Sequence, residues 1–344
     1  MLIFGDLKNF QDKFNLRNKN ILIISSRSII KKKKIIKLIQ SLKEKNNLTI
    51  KSNIIPGAHL SDLKKLLKLE TPDKLIAIGG GSVMDIAKAF SCLKLNSEKY
   101  LITKKKIKKI NLIVIPTISG SGAESSKGSI LKADNNKKIA YRSKYLIPNY
   151  VYLDTQITRM APKKLRCECL FDCLSHAIET YISKKSSNET KINSIDAIRA
   201  IMKINYKSID NNYNQKQISL FSYKMGINLK KSTTCLPHRI QYALSEYTNI
   251  THAQSIIALY KGWLQVILTT NKFKELEKKI FIHKSLNYEI IKFKKKLKLN
   301  QNLNQLKLKK KIINAIINKT TGTLDLDPSY KSKKTIEEII NLSL

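Results

Sequence analysis

The stretch Leu75-Ile-Ala-Ile-Gly-Gly-Gly-Ser-Val-Met-Asp-Ile-Ala-Lys88 decides the fold. Leu75–Ile78 reads as a short buried strand, and Gly79-Gly80-Gly81-Ser82 turns it directly into a helix from Val83 to about Leu93. Glycines at such a turn let backbone N–H groups approach a phosphate, and the helix N-terminus adds partial positive charge. Ser82 can cap that helix or bond a pyrophosphate oxygen. A glycine triplet also serves any tight strand–helix turn, so taken alone the segment leaves both readings open.

The flanking sequence repeats the pattern. Ile21–Ser25 is strand-like and precedes a Lys-rich helical stretch to about Lys45. Leu48–Ile54 is a second strand and Leu60–Leu69 a short helix, with further strands at Leu112–Ile115 and Tyr150–Leu153. Short apolar strands alternating with helices predict an α/β domain over 1–155, with a mostly parallel sheet covered on both faces. Beyond about 156 the period changes to 3.6, over 162–184, 189–206, 215–232, 251–269 and 305–318, and Glu337-Glu338-Ile339-Ile340 suggests a last short helix. The second domain, 156–344, is therefore expected to be all-helical.

The formal net charge of +40 suggests a nucleic-acid binder at first sight. However, the basic residues are almost all Lys; the seven Arg are 17, 27, 142, 159, 166, 199 and 239. Base and phosphate readers favour Arg for its bidentate fork. The lysines are spread along the chain beside equally heavy use of Ile and Asn, the pattern of a solvated surface. Non-specific binding to nucleic acid or anionic membrane in low salt is expected, but no specific nucleic-acid partner. Five cysteines (92, 167, 169, 173, 235) in a chain of this size point to a reducing, cytoplasmic setting. Cys167-x-Cys169-x3-Cys173 lacks a second half at zinc-site spacing and reads as buried or spare thiols. The opening MLIFGDLKNFQDKF has no apolar leader core, and no run approaches a membrane span.

Three further segments carry chemistry. Pro116-Thr-Ile-Ser-Gly-Ser-Gly-Ala-Glu124 again follows a strand and is rich in hydroxyls and glycine. Asp172 and His176 lie four apart on a predicted helix and so share a face. A carboxylate and an imidazole so placed can grip a divalent cation or simply pair with each other. His238 and His252 are fourteen apart; on one continuous helix they would miss a common face by about 40°. Asn249-Ile250-Thr251 reads instead as a break with a new N-cap, which leaves His252 at the head of a following helix.

Taken in order, these segments resemble the iron-containing alcohol dehydrogenase family. That family carries a GGGSxxDxAK loop, a PTTxGTGxE loop, an Asp-x3-His helix and two histidines fourteen residues apart. Gly79–Lys88, Pro116–Glu124, Asp172/His176 and His238/His252 match in sequence order, over roughly residues 20–265. The resemblance implies a dehydroquinate synthase-like, Rossmann-like N-terminal half and a helical C-terminal half. It implies Asp172, His176, His238 and His252 as metal ligands, most often for Fe2+, with Zn2+ an alternative. It places Gly79, Gly80, Gly81 and Ser82 on the cofactor pyrophosphate, Asp85, Thr117 and Ser121 along the cofactor, and Lys138 in contact with it. It also implies a small alcohol or aldehyde substrate and a homodimer.

Departures from the family pattern are informative. Where the family often has an Asp facing the adenosine ribose, this chain has Ser26 followed by Arg27, which predicts use of NADP as well as, or ahead of, NAD. A histidine four residues after the third ligand is replaced by Tyr242, the expected proton donor. Arg239 and Lys127 suit an anionic substrate carrying carboxylate, phosphate or phosphonate. Alternatively, Arg239 pairs with an internal acid such as Glu246. The rival functions are a dehydroquinate synthase-like or glycerol-1-phosphate dehydrogenase-like enzyme, and a non-catalytic basic nucleic-acid-binding relative.

Overall fold

The computed structural model describes residues 1–98, 107–134 and 137–344. They form two compact units, Met1–Pro162 and Lys163–Leu344.

The first unit contains strands β1 (Leu2–Phe4), β2 (Asn20–Ser25), β3 (Asn47–Lys51), β4 (Lys74–Gly79), β5 (Asn111–Pro116), β6 (Gly128–Lys132), β7 (Lys138–Arg142) and β8 (Tyr150–Leu153). Its helices are α1 (Phe10–Lys13), α2 (Arg27–Ile30), α3 (Lys33–Lys45), α4 (Leu60–Leu67), α5 (Gly81–Leu93) and α6 (Thr155–Thr158). Six strands form one sheet in the order β1-β8-β5-β4-β2-β3, every pairing parallel, while β6 and β7 form a separate antiparallel pair. Strands β2, β4 and β5 are buried on both faces from their second residue onward, which is why they read as continuous apolar runs rather than alternating ones. In α3, Ile35, Leu38 and Leu42 make the buried stripe while Lys33, Lys37, Lys43 and Lys45 are exposed, so this lysine run is a solvated face. From β2 the chain builds β3 on one side and β4, β5 and β8 on the other. The order therefore reverses between β2 and β4, and the strand ends there open onto the crevice where α/β sheets hold ligands.

The second unit has no strand among its residues. Its helices are α7 (Lys163–Ile182), α8 (Asn188–Ile201), α9 (Asn212–Lys231), α10 (Leu236–Leu244), α11 (His252–Ile267), α12 (Asn271–Ile280), α13 (Leu286–Lys296), α14 (Lys310–Lys319) and α15 (Lys333–Ser343). Helix α7 is buried on nearly every side, packed among α8, α9, α11 and α12. Helices α11 and α15 cross so closely that a Cβ on Gly262 would sit 2.2 Å from the carbonyl of Ile339. The expected helix over 305–318 is divided: Leu303–Leu306 is a 3-10 turn, Lys307 has φ +45, and α14 starts only at Lys310. The left-handed residue ends the first turn, which no helical register can cross.

Candidate functional site

In the second unit, α7 presents Asp172, His176 and Glu179 at i, i+4 and i+7, a single face. Helix α10 opens with Pro237 in its first turn and carries His238. The break expected at 249–251 is present: Thr251 caps α11 in a reciprocal capping box with Gln254, and His252 is the first helical residue. These three helix segments bring four side chains together. Asp172 Oδ1 lies 3.5 Å from Nε2 of both His238 and His252 and 3.6 Å from Nδ1 of His176. The rings of His176 and His238 stand 4.5 Å apart by centroid, and those of His238 and His252 5.3 Å.

Each imidazole is held from behind. His176 Nδ1 meets the carbonyl of Asp172 at 2.9 Å, His252 Nδ1 meets Gln241 Oε1 at 2.9 Å, and His238 Nδ1 meets Glu179 Oε2 at 2.8 Å. For His238 and His252 this turns Nε2 towards Asp172. Both Asp172 Oδ1 and His238 Nε2 are buried without a hydrogen-bond partner. Burial pushes the Asp172 carboxyl up, yet His176, His252 and His238 outweigh it and hold the group well below the usual carboxylate range. His176 is lowered to about 4 by burial. His238, despite burial, is raised to about 9 by Glu179 and Asp172. The pair of buried carboxylates attracts positive charge to this point.

In the first unit, Gly79, Gly80 and Gly81 sit at the end of β4, Thr117 and Ser121 just beyond β5, and Ser26 and Arg27 just beyond β2, so three neighbouring strands deliver them to one edge. Thr117 N–H donates to Gly79 O at 3.0 Å. A Cβ on Gly80 would stand 3.2 Å from Ile118 Cγ2, and one on Gly81 3.6 Å from Ser121 Oγ, so the two loops touch. Ser82 Oγ accepts from Gly57 N–H at 3.0 Å. Asp85 is engaged within the protein: Oδ2 accepts from Ile130 N–H at 3.2 Å and Oδ1 faces Lys88 Nζ at 3.3 Å. Lys88, the one lysine buried among the described residues, also donates to Ala123 O at 2.8 Å, stapling α5 to the second loop. Lys138 opens β7, Lys127 precedes β6, and Arg27 Nε donates to Asn53 Oδ1 at 3.1 Å.

Arg239 is buried beside His238 and does not pair with Glu246, which bonds Lys319 instead at 2.7 Å. Its Nη2 donates to Thr233 Oγ1 at 2.7 Å and Thr234 Oγ1 at 3.2 Å, while Nε is buried without a partner. The half-buried Tyr242 lies one helical turn beyond His238, with the guanidinium 5.7 Å from its ring centre. Cys167 and Cys173 are buried and all five cysteines are free, consistent with the thiol reading. Sequence reasoning missed Glu179 and Gln241. The spacing of Glu179, seven residues after Asp172 on the same helix, was the available signal for it.

Comparison with known proteins adds five matches. Residues 1–155 match the model of the family described as iron-containing alcohol dehydrogenase, and residues 168–344 match the C-terminal model of the Fe-containing alcohol dehydrogenase family. A probable NADH-dependent butanol dehydrogenase of Bacillus subtilis is 24% identical over 301 residues, 81% of this chain and 78% of that protein. A solved 1,3-propanediol oxidoreductase superposes with a TM-score of 0.88 at 17% identity, covering 100% of this chain and 98% of that one. The sulfoacetaldehyde reductase of Bifidobacterium kashiwanohense, solved with NAD+, gives a TM-score of 0.86 at 18% identity, covering 99% and 96%. At those identities the structural likenesses establish the fold.

Proposed function

The chain belongs to the iron-containing alcohol dehydrogenase family, an oxidoreductase family, and from that premise we propose that it interconverts a small, anionic alcohol and its aldehyde with NAD(P)+ and NAD(P)H. The observation that carries the metal half of this reading is the pair of buried, unpartnered atoms Asp172 Oδ1 and His238 Nε2, 3.5 Å apart. Two buried polar atoms facing each other without a hydrogen bond are costly, and a cation between them would satisfy both. Metal–ligand bonds of about 2.0–2.2 Å in a tetrahedral set put ligand atoms roughly 3.3–3.6 Å apart. Asp172 Oδ1 with Nε2 of His238 and of His252 meets that spacing at 3.5 Å, Asp172, His176 and His238 lie close enough to share one ion, and one carboxylate with three imidazoles suits Fe2+ or Zn2+. When bound, such an ion supplies Lewis-acid polarisation of the substrate oxygen.

The chain's own residues supply the rest. Gly79, Gly80 and Gly81 are the pyrophosphate turn of this reading, with Gly81 leaving the open surface at the N-terminus of α5. Thr117, Ser121 and Lys138 are the further cofactor contacts of this reading, and Ser26 with Arg27 sets the choice between NAD and NADP. Asp85 contributes by fixing α5 against β6. Tyr242, on the face of α10 that carries His238, is the residue for proton exchange with the product oxygen. Arg239 supports an anionic substrate: a buried guanidinium with only hydroxyl acceptors and a spare Nε is short of negative charge. Lys127 is the second cation of this reading. A homodimer rests on the family resemblance, and a cytoplasmic setting on the five free thiols.

Metal analysis of anaerobically purified protein, coupled to NADH and NADPH oxidation over neutral and anionic aldehydes, tests the proposal. About one Fe or Zn per chain is expected, with turnover highest on anionic aldehydes. His238→Ala should lose metal and turnover together; retention of both would overturn the ligand set. Equal kcat/KM for neutral and anionic aldehydes would remove the anion from the reading.

A further inference from the structure

Resting on the metal reading above, we infer that Glu179 is a positioning residue that governs the affinity of the site for its divalent ion through His238. Glu179 is fully buried. Its carboxylate accepts from His238 Nδ1–H at 2.8 and 3.0 Å and from the backbone N–H of Cys235 at 2.7 Å. Among the described residues no Lys or Arg forms an ion pair with it, although the chain has 65 of them. Its ion-pair partner among the described residues is His238, and a carboxylate buried this deeply needs positive charge close by. Across that imidazole, Asp172 Oδ1 and His238 Nε2 are buried without a hydrogen-bond partner, which is where a bound ion would add positive charge.

Three consequences follow. By accepting from Nδ1–H the carboxylate holds a hydrogen on that nitrogen and leaves Nε2, turned towards Asp172, as the atom that would ligate the ion. The bond to Cys235 N–H pins the residue before α10, so the same carboxylate sets both ring rotation and helix position. Asp172 and Glu179 together carry two negative charges, which balance a divalent ion. His252 is supported differently, by the neutral amide of Gln241. The i, i+4, i+7 face of α7 thus holds two ligands and the support of a third.

Glu179→Gln keeps the volume, removes the charge and leaves one carbonyl oxygen for two donors. Metal-stripped wild type and variant would be titrated with Co2+, whose visible absorption reports its donor set. Wild type is expected to bind one Co2+ per chain, and the variant 10–100-fold more weakly, with a changed spectrum. Failure of the wild type to bind Co2+ would overturn the metal reading itself. Wild-type binding with an unchanged affinity and spectrum in the variant would overturn only the role of Glu179. A purely structural role would instead lower the unfolding temperature of the metal-free variant and leave Co2+ affinity untouched. If Glu179→Gln does not fold, zinc-loaded wild type with 15N-labelled histidine decides. One metal-bound imidazole should show an Nδ1–H proton shifted further downfield than the others by its carboxylate acceptor, and absence of that proton overturns the inference.

Discussion

Trp263, the single tryptophan of the chain, donates its indole N–H to Asp327 Oδ2 at 2.9 Å, and both residues are fully buried. The same carboxylate accepts from Leu236 N–H at 2.9 Å and, through Oδ1, from the N–H and hydroxyl of Ser329 at 2.8 and 2.6 Å. Asp327 therefore ties α11, the start of α10 and the last loop into one network. Asp327→Ala leaves four buried donors without an acceptor and should destabilise the second unit by about 3–5 kcal/mol. Trp263 reports on that unit specifically. Denaturant titration followed by its emission should show the midpoint falling with the slope unchanged; a midpoint within error of wild type would show that the network is dispensable.

Substitution at Ser26 tests the proposal that the end of β2 sets the preference between cofactors. Ser26 precedes α2 without a side-chain cap bond, and Arg27 spends only Nε, on Asn53. Ser26→Asp places a carboxylate where a ribose 2′-hydroxyl can donate to it and a 2′-phosphate is repelled. The ratio of kcat/KM for NADH over NADPH should rise by about tenfold or more, the worth of one ordinary charged contact. An unchanged ratio would place the adenosine elsewhere.

Much of this was legible in the sequence because periodicity reports burial. The runs at Leu75–Ile78 and Leu112–Ile115 became β4 and β5, and the new cap at Thr251 turned two histidines fourteen apart into neighbours. Strand β1 was too short to carry a pattern, and the β6–β7 pair lies in a Lys-rich stretch whose alternation is weak. Helices α12 and α13 were hidden by their surface lysines, since only Phe273, Leu276, Leu286, Ile290 and Phe293 mark their buried sides. Arg239 shows the limit more sharply. Its neighbours in space are Thr233, Thr234 and Gly322, and nothing in the spacing of Glu246 revealed that Lys319 had already taken it.

Lys294 makes stability depend on pH. Burial, with Lys261 second, lowers its ammonium to about 8, against 10.5 ordinarily. Between those values the unfolded chain holds the extra proton, so the contribution of this group makes stability rise with pH across that window. Below about pH 8 both states are charged and the full burial cost remains. Lys294→Met removes the charge and keeps the stem. Wild-type stability minus variant stability should increase by roughly 1–2 kcal/mol from pH 7 to pH 10.5, after discounting for partial exposure. Denaturant midpoints across that range measure it, and a difference independent of pH would contradict the assignment.

Two glycines of the same triplet, Gly79 and Gly81, separate folding from cofactor binding. A Cβ on Gly79 would stand 2.6 Å from both Cβ and Cγ2 of Val83, inside the first turn of α5. Val83 is buried and cannot retreat, so Gly79→Ala should destabilise the first unit by about 1–3 kcal/mol. A Cβ on Gly81 meets only Ser121 Oγ at 3.6 Å and Ala123 Cβ at 3.9 Å, ordinary contacts that leave the fold intact. It does intrude on the surface where the two loops meet and where a pyrophosphate would approach the backbone. Gly81→Ala should therefore keep the wild-type unfolding temperature while weakening NAD(P)H binding about tenfold or more, a loss of roughly 1.4 kcal/mol. Calorimetric unfolding and NAD(P)H fluorescence titration of both variants give the answer. If Gly81→Ala binds the dinucleotide normally, the phosphates do not lie at the head of α5, and the glycine triplet serves only the tight turn.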